Sequence, residues 1–332
     1  AALIGNNHGT SSEYITVLEG IREEAGDDVR ILYSQGCDLY KDKVENLAWD
    51  QDRISEAVIT AENSDVVILC VGLDETLEGE EGDTGNSDAS GDKVDLHLPK
   101  VQEELIEKVT AVGKPTIVVL MAGSAIDLNY AQDNCNGILL AWYPGARGGR
   151  AIADLLFGKE SPSGKLPITF YKDLEGMPEF TDYSMKNRTY RYMEKEALYP
   201  FGYGLTYSDT CVTEAEVVGE VSAESDIVLK ATVKNNGTVD TDEVVQVYIK
   251  DLDSPLAVRN YSLCGFKRVS LKAGEEKSVE FTISNKAINI VDEDGNRYIA
   301  GKHFRLFAGV SQPDTRSAEL TGHKPAEVEI AL

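Results

Sequence analysis

The part of the sequence best suited to chemistry is an acidic run that follows a short apolar segment. Val66 to Gly72 is apolar and has the pattern of a buried strand, and a polar stretch, 73–99, comes directly after it. Six carboxylates fall within ten consecutive positions of this stretch, namely Asp74, Glu75, Glu78, Glu80, Glu81 and Asp83. Like charges at short range raise one another's pKa above the ~4.3 of free Glu. A carboxylic acid that keeps its proton near neutrality is therefore expected here, and such a group can serve as a general acid.

The position of this stretch also favours a functional role. It leaves the carboxyl end of a predicted parallel strand, where open α/β sheets place their ligands, and long loops inside compact domains are usually functional or disordered. Two other interpretations remain open. Most charge runs are solvated surface, and four oxygen ligands close in sequence could form a calcium site, namely Asp83, Asn86, Asp88 and Asp92. The calcium motif lacks its D-x-D-x-D-G order and its closing Glu, so we expect neither a metal nor a cofactor.

Other catalytic arrangements are excluded by residue spacing. The glycine turn at 145–149 lacks the Lys-Ser/Thr of a phosphate-binding loop. The histidines are scattered, and none lies in a G-x-S-x-G turn or an H-E-x-x-H helix: His8, His97, His303 and His323. The cysteines are odd in number, without a C-x-x-C pair, and favour a reducing cytoplasm: Cys37, Cys70, Cys135, Cys211 and Cys264.

Up to about residue 207 the pattern alternates strands with helices. Helical periodicity is clear from Lys100 to Val112, where Val101, Leu105 and Val109 share one apolar face. Such alternation predicts a mostly parallel sheet with helices on both faces. The predicted strands are Ala2 to Ile4, Val29 to Tyr33, Asp65 to Val71, Pro115 to Met121 and Gly137 to Trp142, and the other predicted helices are Tyr14 to Ala25 and Asp50 to Asn63.

After Tyr207 the helical periodicity gives way to alternating strands. Turn residues at 235–237 and 272–274 separate them, and roughly seven short strands in about 120 residues are typical of an immunoglobulin-like sandwich. This half carries no catalytic cluster. The clearest predicted strands are Ile227 to Lys234, Glu243 to Lys250, Phe266 to Leu271, Ser278 to Ile283 and Phe304 to Val310.

Length and charge limit the possible partners. The chain has 332 residues, which is long enough for two compact domains, and 42% of its residues are hydrophobic and 27% are charged. Its formal net charge of -25 repels phosphate backbones and anionic headgroups, so neither nucleic acid nor a membrane is expected as a partner.

No apolar stretch approaches the ~20 residues of a spanning helix, and no signal peptide opens the chain. Because the chain starts without Met and runs at once into the predicted strand Ala2 to Ile4, we expect a fragment of a longer polypeptide, which leaves secretion open as an alternative to the cytoplasm.

Two ordered runs of residues indicate a family. Trp142 to Phe170 reads WYPGARGGRAIADLLFGKESPSGKLPITF, and Leu198 to Tyr207 reads LYPFGYGLTY. The first run combines a strand end, a glycine turn and a helix that carries Ile152 and Leu155 on one face. Together the runs resemble the second domain of glycoside hydrolase family 3, which follows a catalytic barrel. Within that resemblance the β-rich half is the fibronectin type III-like domain. Residues 263–269 resemble the central motif of that domain.

The resemblance implies a retaining glycosidase mechanism. In such enzymes one carboxylate attacks the anomeric carbon while a second, about 5 to 5.5 Å away, protonates the departing oxygen and later activates water. Members of the family take the nucleophilic Asp from the barrel and the acid/base Glu from a loop of the second domain. Residues 76–83 resemble the branch with a T-x-E-x-E-G-x-D-R pattern, which implies Glu80 as the acid/base and Glu78 as the alternative. An extra Glu81, and Thr84 in place of the usual Arg, depart from that pattern.

The segment at 187–192, NRTYRY, bears on the substrate. It resembles the corresponding segment of β-xylosidase-like members more than that of typical β-glucosidases. The alternative interpretation is a core-lining strand in which Arg188 and Arg191 offset the acidic surface.

These observations predict an α/β fold, with a mostly parallel-sheet α/β sandwich at 1–207 that carries the acid/base loop and an all-β fibronectin type III-like sandwich at 208–332. The implied function is part of an exo-acting β-xylosidase or β-glucosidase that releases terminal β-linked sugars from oligosaccharides. The implied partners are an oligosaccharide or aryl β-glycoside, the N-terminal barrel domain of the same enzyme and, as an open alternative, further copies of the chain in a homo-oligomer. The competing hypotheses are a non-catalytic sugar-binding or structural fragment and a phosphorylase-like use of the same framework.

Overall fold

The computed structural model describes residues 3–6, 8–40, 52–80, 85–86 and 91–332. The chain divides into two compact units, one comprising 1–159 and 172–174 and the other 160–171 and 175–332. No helix in the described ranges is long and apolar enough to cross a bilayer. Compactness thus groups most of 160–207 with the second unit, and the predicted domain boundary after Tyr207 stays a prediction.

The first unit contains five helices and three strands within its described residues. In chain order these are α1 (Val17–Ala25), α2 (Asp52–Glu62), β1 (Val67–Gly72), α3 (Lys100–Thr110), β2 (Thr116–Met121), α4 (Asn129–Asn134), β3 (Gly137–Leu140) and α5 (Gly148–Leu156).

Local capping sets the start of α1. The Thr16 side chain accepts a hydrogen bond from the Glu19 amide at 3.2 Å, and the Glu19 carboxylate accepts one from the Thr16 amide at 2.8 Å. This reciprocal pair satisfies two amides that the first turn cannot satisfy itself. The helix therefore begins at Val17, three residues after the predicted start at Tyr14. The predicted start of the next helix, at Asp50, lies outside the described residues.

The three strands of the first unit form a parallel sheet in the order β1-β2-β3. Val118 and Val119 point to opposite faces of β2 and both are 0% exposed, so both faces of the sheet are covered. On one face Val119 packs with Val17 of α1 and Ile152 of α5. The parallel arrangement predicted from the alternating pattern is confirmed for these strands.

Two other predicted strands are wrong in the described residues. Leu3 and Ile4 lie in a turn, and the Leu3 carbonyl accepts a hydrogen bond from the Gly145 amide at 2.7 Å instead of joining the sheet. Val29 and Tyr33 lie outside any strand and are 47% and 59% exposed. The apolar pattern predicted strands at Ala2 to Ile4 and Val29 to Tyr33, but a strand also needs a neighbour for its backbone hydrogen bonds, which the local pattern does not reveal.

The second unit is mostly β-structure. Its elements are α6 (Thr189–Tyr192), β4 (Thr210–Val218), β5 (Ile227–Asn235), β6 (Thr241–Asp251), β7 (Ser262–Leu271), β8 (Glu276–Ile283), a 3₁₀ helix (Asn285–Ile288), β9 (Ile290–Val291), β10 (Arg297–Tyr298), β11 (His303–Gly309), α7 (Thr315–Thr321) and β12 (Ala326–Ala331).

Two antiparallel sheets in this unit share one core. Their strand orders are β12-β11-β6-β7 and β4-β5-β8. Leu229 and Phe281 from the smaller sheet pack in the same buried cluster as Val247 and Leu306 from the larger one. The alternating strands predicted after residue 207 are confirmed, because alternation places every second side chain in this core.

Lys165 and Glu243 form a buried ion pair in the second unit. Lys165 Nζ lies 2.8 Å from Glu243 Oε1, and the two side chains are 8% and 1% exposed. Lys165 also donates to the Gly204 carbonyl at 2.6 Å, and the Thr210 hydroxyl donates to Glu243 Oε2 at 2.6 Å. The pair thus fixes a loop residue against β6 with its polar atoms satisfied. Removal of one partner would leave a buried charge without compensation.

We therefore expect Lys165→Met to lower the free energy of unfolding by about 3–5 kcal/mol, as measured by urea denaturation. Lys165→Met combined with Glu243→Leu should recover much of that loss, because apolar replacement of a whole buried pair is often neutral. The matched control is Lys272→Met, which breaks the exposed pair with Asp240 and should cost less than about 1 kcal/mol. Equal losses in the single and double variants would contradict the prediction.

Candidate active site

The acidic loop begins at the carboxyl end of β1, where Gln102 of α3 fixes the backbone. The Gln102 side chain accepts a hydrogen bond from the Gly72 amide at 2.8 Å and donates one to the Gly72 carbonyl at 2.7 Å, while Gln102 is only 2% exposed. The Leu73 amide donates to the Met121 carbonyl at 2.8 Å, which extends the contact with β2 beyond the strand. The loop therefore leaves the sheet from a buried point with fixed geometry.

Asp74 then turns the chain. Its carboxylate oxygen Oδ1 accepts hydrogen bonds from the Thr76 amide at 2.9 Å and the Thr76 hydroxyl at 2.8 Å. Its carbonyl accepts from the amides of Leu77 at 3.0 Å and Glu78 at 2.9 Å. Side chains of Asp that bond to amides two residues ahead are typical of tight turns. Asp74 is buried and its carboxylate serves this turn.

The far side of the loop returns to the same turn. The Asn86 amide donates to the Thr76 carbonyl at 2.6 Å, and the Asn86 side chain donates to the Thr76 hydroxyl at 3.0 Å. The Gly79 amide donates to the Gly91 carbonyl at 3.2 Å. Glu80 follows directly after this crossing and is exposed. The loop is thus closed at its base, with Glu80 beyond the closure.

Glu78 has a different environment, because three donors converge on its carboxylate. Oε2 accepts hydrogen bonds from the Gly123 amide at 2.7 Å and the Tyr143 hydroxyl at 2.6 Å, and Oε1 accepts one from the Ser124 hydroxyl. Gly123 and Ser124 follow β2, and Tyr143 follows β3. A carboxylate that accepts several hydrogen bonds is strongly held in one orientation.

The acidic residues that the sequence placed together are separated by these partners. Asp74 bonds within its own turn, Glu78 bonds to two neighbouring strand ends, and Glu75 lies 3.2 Å from the His8 imidazole. Glu81 and Asp83 lie outside the described residues, as does Thr84. The described part of the run is therefore a set of carboxylates with distinct roles.

Burial tunes two groups beside Glu78. Desolvation, followed by the hydrogen bond to Glu78, raises the pKa of the Tyr143 phenol far above its ordinary value of about 10. Tyr143 therefore remains a hydrogen-bond donor throughout the physiological pH range. Desolvation lowers the pKa of Lys93, while the nearby charges of Glu78 and Asp95 oppose that shift. The Lys93 ammonium donates to the Ala125 carbonyl at 3.1 Å.

Sequence reasoning missed Tyr143, Gly123 and Ser124. In the sequence, Tyr143 belongs to the turn after the predicted strand Gly137 to Trp142, while Gly123 and Ser124 come shortly after the predicted strand Pro115 to Met121. A usable signal existed, since all three lie in segments that follow strands of a predicted parallel sheet. Residues after the carboxyl ends of adjacent parallel strands meet at one edge. Applied to all three strands instead of one, that rule would have identified them.

The calcium alternative and the 187–192 segment are the remaining predicted features. Among the described residues, no group of three or more His, Cys, Asp and Glu side chains could hold a metal ion. Asp83 and Asp88 of the calcium alternative lie outside the described ranges. Within the 187–192 segment, Thr189–Tyr192 form the short helix α6 in the second unit, so the alternative interpretation as a core-lining strand is wrong. Tyr190 stacks on Phe201 with ring centroids 4.3 Å apart. Tyr190 therefore has a packing role there.

Family models match both parts of the chain. Residues 1–207 match the model of the glycosyl hydrolase family 3 C-terminal domain, and residues 243–312 match that of a fibronectin type III-like domain. The first match covers the acidic loop and both motif runs.

Known relatives agree with these matches. A β-xylosidase from Formosa agariphila is 34% identical over 327 residues, which are 96% of this chain and 43% of the relative. A periplasmic β-glucosidase from Salmonella typhimurium is 30% identical, over 91% of this chain and 42% of the relative. The chain thus spans less than half the length of these relatives.

The fold has solved counterparts. A β-glucosidase from Erythrobacter marinus superposes with a TM-score of 0.82 and 30% identity, over 99% of this chain and 44% of that one. The family 3 β-glucosidase of Bifidobacterium adolescentis superposes with a TM-score of 0.80 and 28% identity. The match covers 99% of this chain and 47% of the Bifidobacterium chain.

Proposed function

Because this chain belongs to glycoside hydrolase family 3, we propose that it supplies the general acid/base of a retaining, exo-acting β-glycosidase. The intact enzyme removes terminal β-linked xylose or glucose from oligosaccharides or aryl glycosides. The nucleophilic Asp belongs to an N-terminal barrel domain outside this chain. The observation that carries the proposal is the family match over 1–207, which includes the acidic loop after β1.

Glu80 is the proposed acid/base. In the first step the barrel Asp forms a bond to the anomeric carbon, the glycosidic C–O bond breaks, and the Glu80 carboxyl proton passes to the departing oxygen. In the second step water attacks the anomeric carbon, its proton passes to the Glu80 carboxylate, and the bond to Asp breaks. In both steps the Glu80 side chain must reach the sugar, and Glu80 lies on a loop whose base is fixed by hydrogen bonds.

The described contacts support Glu80 over Glu78 for this role. Glu80 is exposed beyond the crossing of Gly79 and Gly91, which supports a role in contact with substrate. Both oxygens of the Glu78 carboxylate already accept hydrogen bonds from protein donors. A general acid must offer its own proton to the reacting oxygen.

Stereochemistry tests the proposed reaction in the intact enzyme. Proton NMR of a nitrophenyl β-glycoside digest should show the β-anomer of the free sugar first, because two displacements at one carbon retain its configuration. A protein without the barrel nucleophile serves as the blank for spontaneous hydrolysis. Initial release of the α-anomer would refute the retaining mechanism, and no release of sugar would refute the glycosidase.

We expect the intact enzyme to prefer xylosides to glucosides. The acidic loop resembles the xylosidase-like branch, and the β-xylosidase of Formosa agariphila is 34% identical to this chain. A pocket closed around the position of the 5-hydroxymethyl group rejects glucose, whereas a pocket built to bond that hydroxyl discriminates strongly in its favour. The measurement is kcat/KM for the nitrophenyl β-xyloside and β-glucoside. A glucoside preference above about tenfold, roughly 1.4 kcal/mol, would overturn this expectation.

A further inference from the structure

The hydrogen bonds of Glu78 connect the ends of three adjacent strands. Glu78 lies on the loop that follows β1, its partners Gly123 and Ser124 follow β2, and its partner Tyr143 follows β3. A single carboxylate therefore ties the loop after β1 to the segments that follow β2 and β3 at the carboxyl edge of the sheet. Glu80, the proposed acid/base, is only two residues beyond this connection.

The Tyr143 ring packs against Gly5 and Gly123, and this close contact is possible only because neither residue has a side chain. A Cβ atom at Gly5 would lie 2.8 Å from Tyr143 Cδ2, and one at Gly123 would lie 2.9 Å from Tyr143 Cε2. Real Cβ atoms do not approach a ring carbon this closely, because van der Waals contact between carbons begins near 3.5 Å. The glycines therefore allow the Tyr143 hydroxyl to reach Glu78.

The backbone before Tyr143 is strained. Trp142 has a φ of 54°, in the left-handed region that bulky residues rarely adopt. The Ala141 amide is held by the Leu120 carbonyl at 2.8 Å, and the Gly145 amide is held by the Leu3 carbonyl at 2.7 Å. These bonds on either side maintain the strained turn that carries Tyr143. Backbone strain of this kind persists where the surroundings enforce it, and it concentrates at functional sites.

We propose that Glu78 and Tyr143 are positioning residues for catalysis, which hold the loop after β1 so that Glu80 reaches the glycosidic oxygen. This inference rests on the proposed function of Glu80 and assigns Glu78 a role through that residue. Proton transfer depends on the position of the donor, and a misplacement of about 1 Å can cost up to ~100-fold in rate. The hydrogen-bonded loop base supplies that position.

The decisive variant is Tyr143→Phe in the intact enzyme, because it keeps the ring against Gly5 and Gly123 and removes only the hydroxyl donor to Glu78. We expect kcat/KM to fall about tenfold or more for a phenyl β-glycoside, because its phenol leaving group must be protonated to depart. For a dinitrophenyl β-glycoside, whose leaving group departs as an anion without protonation, kcat/KM should stay within about twofold. The matched control is Tyr130→Phe, which removes a hydroxyl bonded to Thr110 elsewhere in the same unit and should change neither rate.

A purely structural role predicts another pattern. Loss of fold stability alone would reduce both rates equally, so equal losses, or no loss, in Tyr143→Phe would overturn the inference. If that variant fails to fold, Ser124→Ala answers the same question, because it removes the donor on the other Glu78 oxygen and leaves the ring in place. Selective loss on the phenyl glycoside would support the positioning role, and unselective or absent loss would overturn it.

Glu80→Ala, measured beside these variants, separates the two claims. Selectivity in Glu80→Ala without selectivity in Tyr143→Phe or Ser124→Ala would overturn the positioning role alone. Selectivity in Tyr143→Phe without any in Glu80→Ala would overturn the assignment of Glu80 and support positioning of another acid on the same loop.

Discussion

Glu80→Ala in the intact enzyme should lower kcat/KM for a phenyl β-glycoside by about 10²–10⁴-fold, the range that general acid catalysis contributes. The same variant should cleave a dinitrophenyl β-glycoside with little loss in the first step, since that leaving group departs as a stable anion. The physical reason is that only the basic leaving oxygen needs the proton that Glu80 carries. The comparison of kcat/KM across aryl glycosides of graded leaving-group basicity measures the effect.

Added azide should restore turnover of Glu80→Ala. Once the carboxylate is removed, the small anion can enter the vacated space and attack the glycosyl-enzyme without a general base, and the product should be the β-glycosyl azide. Glu78→Ala should show a selective but smaller loss and no azide product, because the Glu80 carboxylate remains in the site. Glu75→Ala, which changes the same acidic run at the residue paired with His8, is the control. Azide rescue of Glu78→Ala and not of Glu80→Ala would move the assignment to Glu78.

The isolated chain of 332 residues should fold and yet hydrolyse no aryl β-glycoside. Its two units have their own buried cores, so cooperative unfolding should be visible by circular dichroism. Catalysis should fail because the covalent intermediate of a retaining mechanism forms on the proposed barrel Asp, which lies outside this chain. The measurement is nitrophenol release at high protein concentration.

A matched preparation of the isolated chain with Glu80→Ala controls for contaminating glycosidases. A trace of host enzyme gives the same rate in both preparations, whereas activity of the chain itself falls in the variant. Hydrolysis by the native-sequence chain that disappears with Glu80→Ala would show that the chain contains its own nucleophile, and it would refute the division of the site between two domains.

Periodicity was sufficient for much of the fold. The apolar face of Val101, Leu105 and Val109 predicted α3, and alternation from Ile227 to Lys234 predicted β5. Both patterns work because one face of each element must be buried, which is a local property of the sequence. Where burial depends on a partner, the pattern failed. The segment at Val29 to Tyr33 is apolar enough for a strand, yet no strand pairs with it in the described part of the chain, and Tyr33 is 59% exposed.

The candidate site shows the same division. The order of residues in the loop, together with the family resemblance, implies Glu80 as the acid/base and Glu78 as the alternative, because motif spacing is written in the chain itself. The sequence could not reveal that the two carboxylates have different surroundings. That difference comes from Gly123, Ser124 and Tyr143, which lie 45 to 65 positions from Glu78 along the chain and meet it only at the sheet edge. Parallel strands bring their carboxyl ends together whatever the length of chain between them, so only the tertiary structure decided which carboxylate is held and which is exposed.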